Sequence, residues 1–393
     1  MEEARARMLA GLAPGPAETV PLEAALGRTL AEDVTAVRDQ PPYDASAMDG
    51  WAVREAELGG GPLRVQGESA AGRPFAAPLA AGAAVRVFTG AAVPAGADRV
   101  VIQEEAVREG DLVRLAPEGA TRHVRPRGGD FRAGAVLLPR GARVDAWRLA
   151  LAASAGRGSL RVAPRPRLAI LSTGEEIVEA GAPAGDHQIF ESNGPAIAAR
   201  ARAWGGDPVR LKPARDEEAA IAAAVEGCDA ELVVTVGGAS VGDHDLVKPA
   251  LRRLGLELEV ESVAMRPGKP TWFGRLADGR RVLGLPGNPA SALVCAELFL
   301  RPLLLTWQGA DPAFPLRPVR LAEPLGATGP REHWMRARLS AGEDGSTLAA
   351  PFPDQDSSLV AVLTAADALI RRPAGAPPLP AGAVVQALPL ERL

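Results

Sequence analysis

Three short segments place chemistry-bearing residues just after strand-like apolar runs. Thr173-Gly174-Glu175-Glu176 follows the run at 168–171, Gly237-Gly238 opens a polar stretch to Asp245 after 232–236, and Pro286-Gly287-Asn288-Pro289 follows 282–285. The glycine pair lets backbone N–H groups approach an anion, and a helix after it adds its positive end. Asn288 with Pro289 suits the start of a helix and leaves N–H donors nearby. Arg266 and Lys269 flank a Pro-Gly turn, which brings two cations within reach of one oxyanion. Glu175, Glu176, Asp243 and Asp245 would repel one another unless protons or a divalent cation intervene. Carboxylates beside phosphate-binding donors suit Mg²⁺, which shares its oxygen ligands with substrate phosphates. The chemistry indicated is that of oxyanions, phosphates and a hard cation.

Taken singly, each signal has an ordinary reading: a glycine pair as a turn, Thr-Gly-Glu-Glu as a capped helix start, Asn288 as a cap, Lys269 as a solvated charge. Their conjunction at strand ends in one region is what points to a site. His123, His187, His244 and His333 lack metal-ligand spacing, and none is assigned a catalytic role. Gly268-Lys269 is not a nucleotide P-loop, because the upstream glycine is missing and Pro270 follows the lysine. The N-terminal half has two further irregular loops, 41–51 and 88–98, either functional or simply tight turns.

The elements that must position these residues follow from periodicity and breakers. Residues 1–38 read as a helix, a Pro-Gly turn at 13–16 and a second helix around 21–30; 39–44 is too proline-rich to be helical. Short alternating runs punctuated by Gly and Pro from 51 to 130 suggest a small β-rich unit, and a helix near 147–155 follows. After the linker-like 164–166, strands at 168–171, 232–236, near 263–265 and at 282–285 alternate with helices at 194–204, 217–226, up to 254, and from 289 through 300. That alternation implies a doubly wound parallel sheet, whose ligands bind at the carboxyl ends of its strands. The expected division is a discontinuous N-terminal domain (1–38 and 131–163), an inserted β-rich domain (39–130), a doubly wound domain (164–308) and a C-terminal β domain (314–393).

Composition bounds the function. The 393 residues carry 44 basic and 48 acidic side chains for a net charge of −4, which with no long basic run argues against nucleic acid as a main partner. Every apolar stretch near the roughly 18 residues of a membrane span is interrupted by Gly, Pro or Arg, and the charged N-terminus lacks a signal-peptide core, so a cytoplasmic protein is expected. Cys228 and Cys295 stand in separate segments and suggest neither a disulfide framework nor a cysteine metal site. Only three lysines (Lys212, Lys248, Lys269), two asparagines (Asn193, Asn288) and one tyrosine (Tyr43) occur in a chain rich in Arg, Ala and Gly. Survival of scarce types in such a background has a physical motive where arginine's planar fork cannot replace a compact ammonium.

Seven ordered motifs carry a resemblance over essentially the whole chain: PPYDASAMDGWAV, VRVFTGAAVPAGADRVVIQEE, RPRGGDFRAG, RPRLAILSTGEEIV, VVTVGGASVGDHD, MRPGKP and LPGNP. On these the chain resembles the molybdopterin molybdenumtransferase family, which includes bacterial MoeA and the E domain of gephyrin. The resemblance implies insertion of molybdate into adenylylated molybdopterin with release of AMP, and an elongated N-terminal domain with β-rich insertion, doubly wound domain and C-terminal β-barrel; Mg²⁺ dependence is expected from the carboxylates. It also implies a homodimer with an inter-subunit cleft, and transient contact with a molybdopterin adenylyltransferase. Carried over by motif, the family's acidic site residues fall on Asp49, Asp130, Glu176, Asp216 and Asp245 with Thr89 beside them, and its molybdate-binding set on Arg266, Lys269, Pro270 and Ser240; Asp49, Glu176, Asp245 and Lys269 are expected to be catalytic, with Glu176 and Asp245 holding Mg²⁺. Thr89, Asp130, Asp216, Ser240, Arg266 and Pro270 are thus expected to bind substrate, joined from the C-terminal domain by Arg331 or Arg336 and Ser357 or Ser358, and from the strand-end loops read above by Thr173, Gly237, Gly238, Pro286, Asn288 and Pro289. The chain departs from the family pattern at Ala45 (usually Asn), at Arg266 (usually Lys) and at Asp356, an added acid. The competing readings are a pterin-binding carrier or scaffold, and a molybdopterin adenylyltransferase; the latter leaves the N-terminal motifs and the barrel unexplained.

Overall fold

A computed structural model describes residues 1–238 and 246–391. At its centre is a six-stranded sheet in the order Asp207–Arg210, Arg167–Ser172, Leu232–Val236, Arg281–Leu285, Trp272–Arg275, Glu257–Val260. The first four strands are parallel. Trp272–Arg275 pairs antiparallel with both Arg281–Leu285 and Glu257–Val260, so the sheet is mixed rather than wholly parallel. Leu232–Val236 is buried along its whole length, as a strand covered on both faces must be. Its side chains divide by period two. Leu232, Val234 and Val236 pack with Ile170 and Leu283 beneath the helices Asn193–Ala203 and Pro289–Cys295. Val233, with Leu171 and Val282, packs beneath Glu218–Glu226 and Val247–Arg252.

In chain order the four parallel strands lie second, first, third, fourth. The order therefore reverses between Arg167–Ser172 and Leu232–Val236, and a ligand crevice is expected where those two strands end. The helix starting at Pro289 continues through a π-helical turn, Ala296–Leu300, into Arg301–Trp307. The 19-residue stretch Pro289–Trp307 is apolar and long enough to cross a membrane, but 78% of the apolar window is buried in the interior of the fold.

The N-terminal part holds a second six-stranded sheet spanning Gly50 to Leu115, flanked by three two-stranded ladders. In these, Glu18–Pro21 meets Ser159–Val162, Val34–Thr35 meets Val136–Leu138, and Ala45–Ser46 meets Val124–Arg125. The helix expected around 21–30 is not formed. Thr19 and Val20 pair with Arg161 and Leu160, a single 3-10 turn follows at Leu22–Ala24, and Gly27 turns the chain at φ +73°. Long-range pairing overrides the helix-forming composition there.

The C-terminal strands close on themselves. Glu332–Ala341 pairs with both Thr347–Pro351 and Ala368–Arg372, which connect through Arg317–Leu321 and Val384–Pro389 into a five-stranded barrel around Val319, Leu321, Ala337 and Ile370. The short strand expected near 263–265 lies at Met265–Arg266 and pairs in parallel with Glu332 and His333 of the barrel, not with the central sheet.

Candidate functional site

A cleft of about 640 Å³ opens where the strand order reverses. Ser172, Thr173, Gly174 and Glu176 enter it from the end of the first strand, and Val236, Gly237 and Gly238 from the end of the third. Pro286, Gly287, Asn288 and Pro289 follow the fourth strand, while Asp216, Pro270 and Ser358 arrive from separate loops. Local geometry explains why Gly237 is glycine: it sits at φ +96°, and a Cβ there would lie 2.7 Å from the Thr173 carbonyl oxygen. Its N–H donates to the Leu285 carbonyl at 3.2 Å, and the Thr173 N–H donates to the Val236 carbonyl at 3.0 Å. The loops after three strands are thereby tied to one another.

Asn288 does not cap the helix that it begins. Its Nδ2 donates to Ser357 Oγ at 2.7 Å, and the Ala290 N–H donates to the Ser357 carbonyl at 2.9 Å. The barrel loop at 355–358 is thus fastened to the start of this helix, which occupies the Ala290 donor expected to stay free. Arg336 braces that loop from inside: fully buried, its Nε donates to Gln355 Oε1 at 3.2 Å and its Nη1 to the Asp356 carbonyl at 2.9 Å. Asp356 in turn accepts from the Ser358 hydroxyl at 2.6 Å and the Ser358 N–H at 2.8 Å, which holds its carboxyl below the usual range. The acid that departs from the family pattern therefore orients a serine at the cleft rim.

The remaining sequence-derived residues lie elsewhere. Arg266 and Arg331 line a separate cavity of about 320 Å³ against the barrel, together with His333 and Arg372. Burial, reinforced by Arg266, Arg336 and Arg331, pushes the His333 imidazole down to about 4. Lys269 is exposed beside Pro270; its carbonyl accepts from the Val263 N–H at 3.0 Å, and its ammonium makes no hydrogen bond or ion pair among the described residues. Asp49, Thr89 and Asp130 do not line the cleft of their own chain. Asp49 Oδ1 accepts from the Thr89 N–H at 2.7 Å and the Thr89 hydroxyl at 2.9 Å, and those bonds lower its pKa. Ala45 is buried in its ladder with Arg125. Ser240 and Asp245 lie outside the described residues.

Sequence reasoning missed the wall formed by Ile189, Phe190, Glu191, Ser192 and Asn193. Glu191 is 5% exposed; its Oε1 accepts from the Gly194 N–H at 2.8 Å and Ser172 Oγ at 3.2 Å, and its Oε2 from Arg210 at 3.1 Å. Asn193 is 8% exposed and donates Nδ2 to the Gly287 carbonyl at 2.9 Å. A signal was available: both asparagines of an asparagine-poor chain line this cleft.

Three family models match consecutive stretches: the MoeA N-terminal region (domain I and II) over 1–156, a probable molybdopterin binding domain over 169–306, and the MoeA C-terminal region (domain IV) over 318–390. A molybdopterin molybdenumtransferase of Nostoc sp. is 36% identical over 337 residues, covering 82% of this chain and 77% of that protein. Another, from Staphylococcus aureus, is 30% identical over 395 residues, covering 98% and 94%. A solved molybdopterin biosynthesis MoeA protein from Pyrococcus horikosii superposes with a TM-score of 0.80 at 31% identity, covering 100% of this chain and 99% of that one.

Proposed function

The chain belongs to the molybdopterin molybdenumtransferase family, a family of transferases in molybdenum cofactor biosynthesis, and from that premise we propose that it inserts molybdate into adenylylated molybdopterin with release of AMP. The observation that carries this reading is the convergence of residues from well-separated motifs on one cleft at the strand-order reversal: Thr173 and Glu176, Asp216, Gly237, Pro270, Asn288 and Ser358. Glycine backbone and loop hydroxyls suit phosphate oxygens, and a 640 Å³ cleft has room for a pterin with its adenylyl group.

In this reading Lys269, beside the cleft-lining Pro270, holds molybdate by charge-assisted bonds, and Arg266, at the other end of the turn, joins it only by swinging out of the cavity that it lines against the barrel. The Mg²⁺ expected from the carboxylates can be tested against the donors present. Among the described residues no three His, Cys, Asp or Glu side chains gather as a metal cage. A cation shared with substrate phosphates needs only one or two carboxylates. Glu176 and Asp216 line the cleft, accept no hydrogen bond through their carboxylates among the described residues, and fit that demand; Asp245 is assigned from sequence alone. Bound there, Mg²⁺ would neutralise phosphate charge as the adenylyl bond breaks. Asp49, Thr89 and Asp130 then act on the cleft of a second copy, in a homodimer. Leu26, Val37, Val136 and Trp147 support this, being 57–84% exposed in the N-terminal part. The same reading sets the protein in the cytoplasm, supplied by an adenylyltransferase.

The deciding experiment incubates the protein with adenylylated molybdopterin and Mg²⁺ and follows AMP with and without molybdate. Molybdate-dependent release is expected; bound pterin without release would favour a carrier. Lys269→Ala should raise the molybdate requirement more than it weakens pterin binding, and equal loss of both would contradict the assignment.

A further inference from the structure

The cavity against the barrel carries an unbalanced charge. Residues paired across a sheet ladder put their side chains on one face, with neighbouring strands about 4.8 Å apart. Arg266 pairs with His333 and His333 pairs with Arg372, so the three form one row across three adjacent strands. All three line the cavity of about 320 Å³, and Arg331 joins them. No carboxylate is found among the described residues that line it. The Arg266 and Arg331 guanidinium groups make no hydrogen bond or ion pair among the described residues. Arg372 is 2% exposed and donates Nη2 only to neutral carbonyls, those of Gly326 at 3.2 Å and Pro377 at 2.6 Å. Cations side by side in a sheet repel, and a buried arginine is ordinarily paired. His333 stays neutral among them and still offers one ring N–H. The lining loop is fastened in advance: the Thr328 hydroxyl donates to the Pro373 carbonyl at 2.6 Å and accepts from the Ala376 N–H at 2.7 Å, and the Gly375 N–H donates to the Gly329 carbonyl at 2.9 Å.

We propose that this cavity is an oxyanion site separate from the cleft, taking an inorganic tetrahedral dianion of the phosphate class between Arg266, Arg331 and Arg372. Guanidinium forks match the oxygens of such an ion. Apart from Leu325 and Met335 the lining has no large apolar side chain, which leaves a heterocycle or an acyl chain little to pack on. The cavity and the cleft share no lining residue. Strand alternation also puts Arg336, which braces the loop at the cleft rim, on the opposite face from His333. The inference goes beyond the transferase reading and does not depend on it. An anion here keeps Arg266 against the barrel, so filling this cavity and bringing Arg266 to the cleft exclude each other.

The test follows the His333 imidazole by proton NMR, its signal identified by its loss in His333→Gln, while sodium phosphate replaces sodium chloride at constant ionic strength. A saturating shift is expected in the intact full-length protein. Lys269→Ala, a change on the cleft side of the turn, should leave that shift as it is. Arg331→Ala, at the exposed rim of the cavity, should weaken phosphate roughly tenfold, the worth of one charge-assisted hydrogen bond, and Arg331→Lys should recover part of the loss. Sulfate should displace phosphate from the same signal. Absence of a saturating shift overturns the inference, as does a shift that Arg331→Ala leaves unchanged. A shift abolished by Lys269→Ala would put the anion in the cleft and overturn it too. Displacement by AMP but not by sulfate would make the cavity a nucleotide site and overturn the inorganic class. None of these outcomes bears on molybdate-dependent AMP release, which tests the transferase reading by itself.

Discussion

Gly268, in the turn that carries Arg266 and Lys269, offers a quantitative test of the packing beneath the proposed oxyanion-binding residues. It sits at φ +106°, and a Cβ there would lie 2.2 Å from the sulfur of Cys295, with the Met265 methyl next at 3.4 Å. Gly268→Ala therefore meets two costs. The left-handed backbone costs roughly 1–3 kcal/mol for a residue with a side chain. Forcing a methyl against a buried sulfur costs roughly 1–3 kcal/mol more. Cys295→Ala alone removes one buried sulfur and leaves the Thr271 hydroxyl, 3.2 Å away, without its partner, for roughly 1–3 kcal/mol. In the double variant the sulfur is absent and the new methyl meets only ordinary contacts, so the clash vanishes while the backbone cost stays. The double variant should fall short of the summed single effects by about 1–3 kcal/mol. Hydrogen exchange in peptides covering 265–300 reads the local opening free energy without assuming that the whole chain unfolds in one step. Additivity within about 0.5 kcal/mol would refute the reasoning. The molybdate requirement should follow the same order, worst in Gly268→Ala and partly rescued in the double variant.

Three further outcomes follow from the same structure. Burial pushes the Cys295 thiol up to about 12, so iodoacetamide at pH 8 should label Cys228 well before Cys295 in the folded protein; peptide mass spectrometry that found Cys295 labelled first would contradict this. His333 titrates at about 4 when folded against an ordinary 6.5, so the unfolded chain binds the extra proton between those values. Its contribution is thus fully present above about pH 6.5 and is lost as the pH falls toward 4, and His333→Gln should flatten that part of the acid-stability profile; an imidazole NMR titration centred near 6.5 would sink the argument. Asn288→Ala should release the barrel loop at a cost of roughly 0.5–1.5 kcal/mol, seen as faster exchange of 352–358, and unchanged exchange there would deny Asn288 its tethering role.

The sequence made the parallel core legible because its strands are buried on both faces and read as unbroken apolar runs, as at 232–236. The antiparallel pair at Trp272–Arg275 and Glu257–Val260 went unread, although Asp278-Gly279 marks the hairpin joining Trp272–Arg275 to Arg281–Leu285. Loop residues at strand ends were readable as neighbours around one cleft because the switch in strand order gathers them. Glu191 and Asn193 were not, since neither stands after a strand of the central sheet and each acts through partners distant in sequence: Arg210 for one, Gly287 for the other. The placement of Arg266 depends on a two-residue ladder to the barrel, a pairing that no local pattern announces.

The bond from the Gly194 N–H to Glu191 also bears on how the protein ages. An asparagine followed by glycine is the sequence most prone to lose its side-chain amide, through attack of the glycine backbone nitrogen on the asparagine carbonyl carbon. Here that nitrogen is the one donating to Glu191, within a helical turn that keeps it from closing the ring. Spontaneous conversion of Asn193 to aspartate or isoaspartate therefore requires this turn to open first. In a stored sample, the slow rise of that mass-shifted peptide acts as a clock counting openings of the cleft wall, and a ligand seated against Asn193 would slow it.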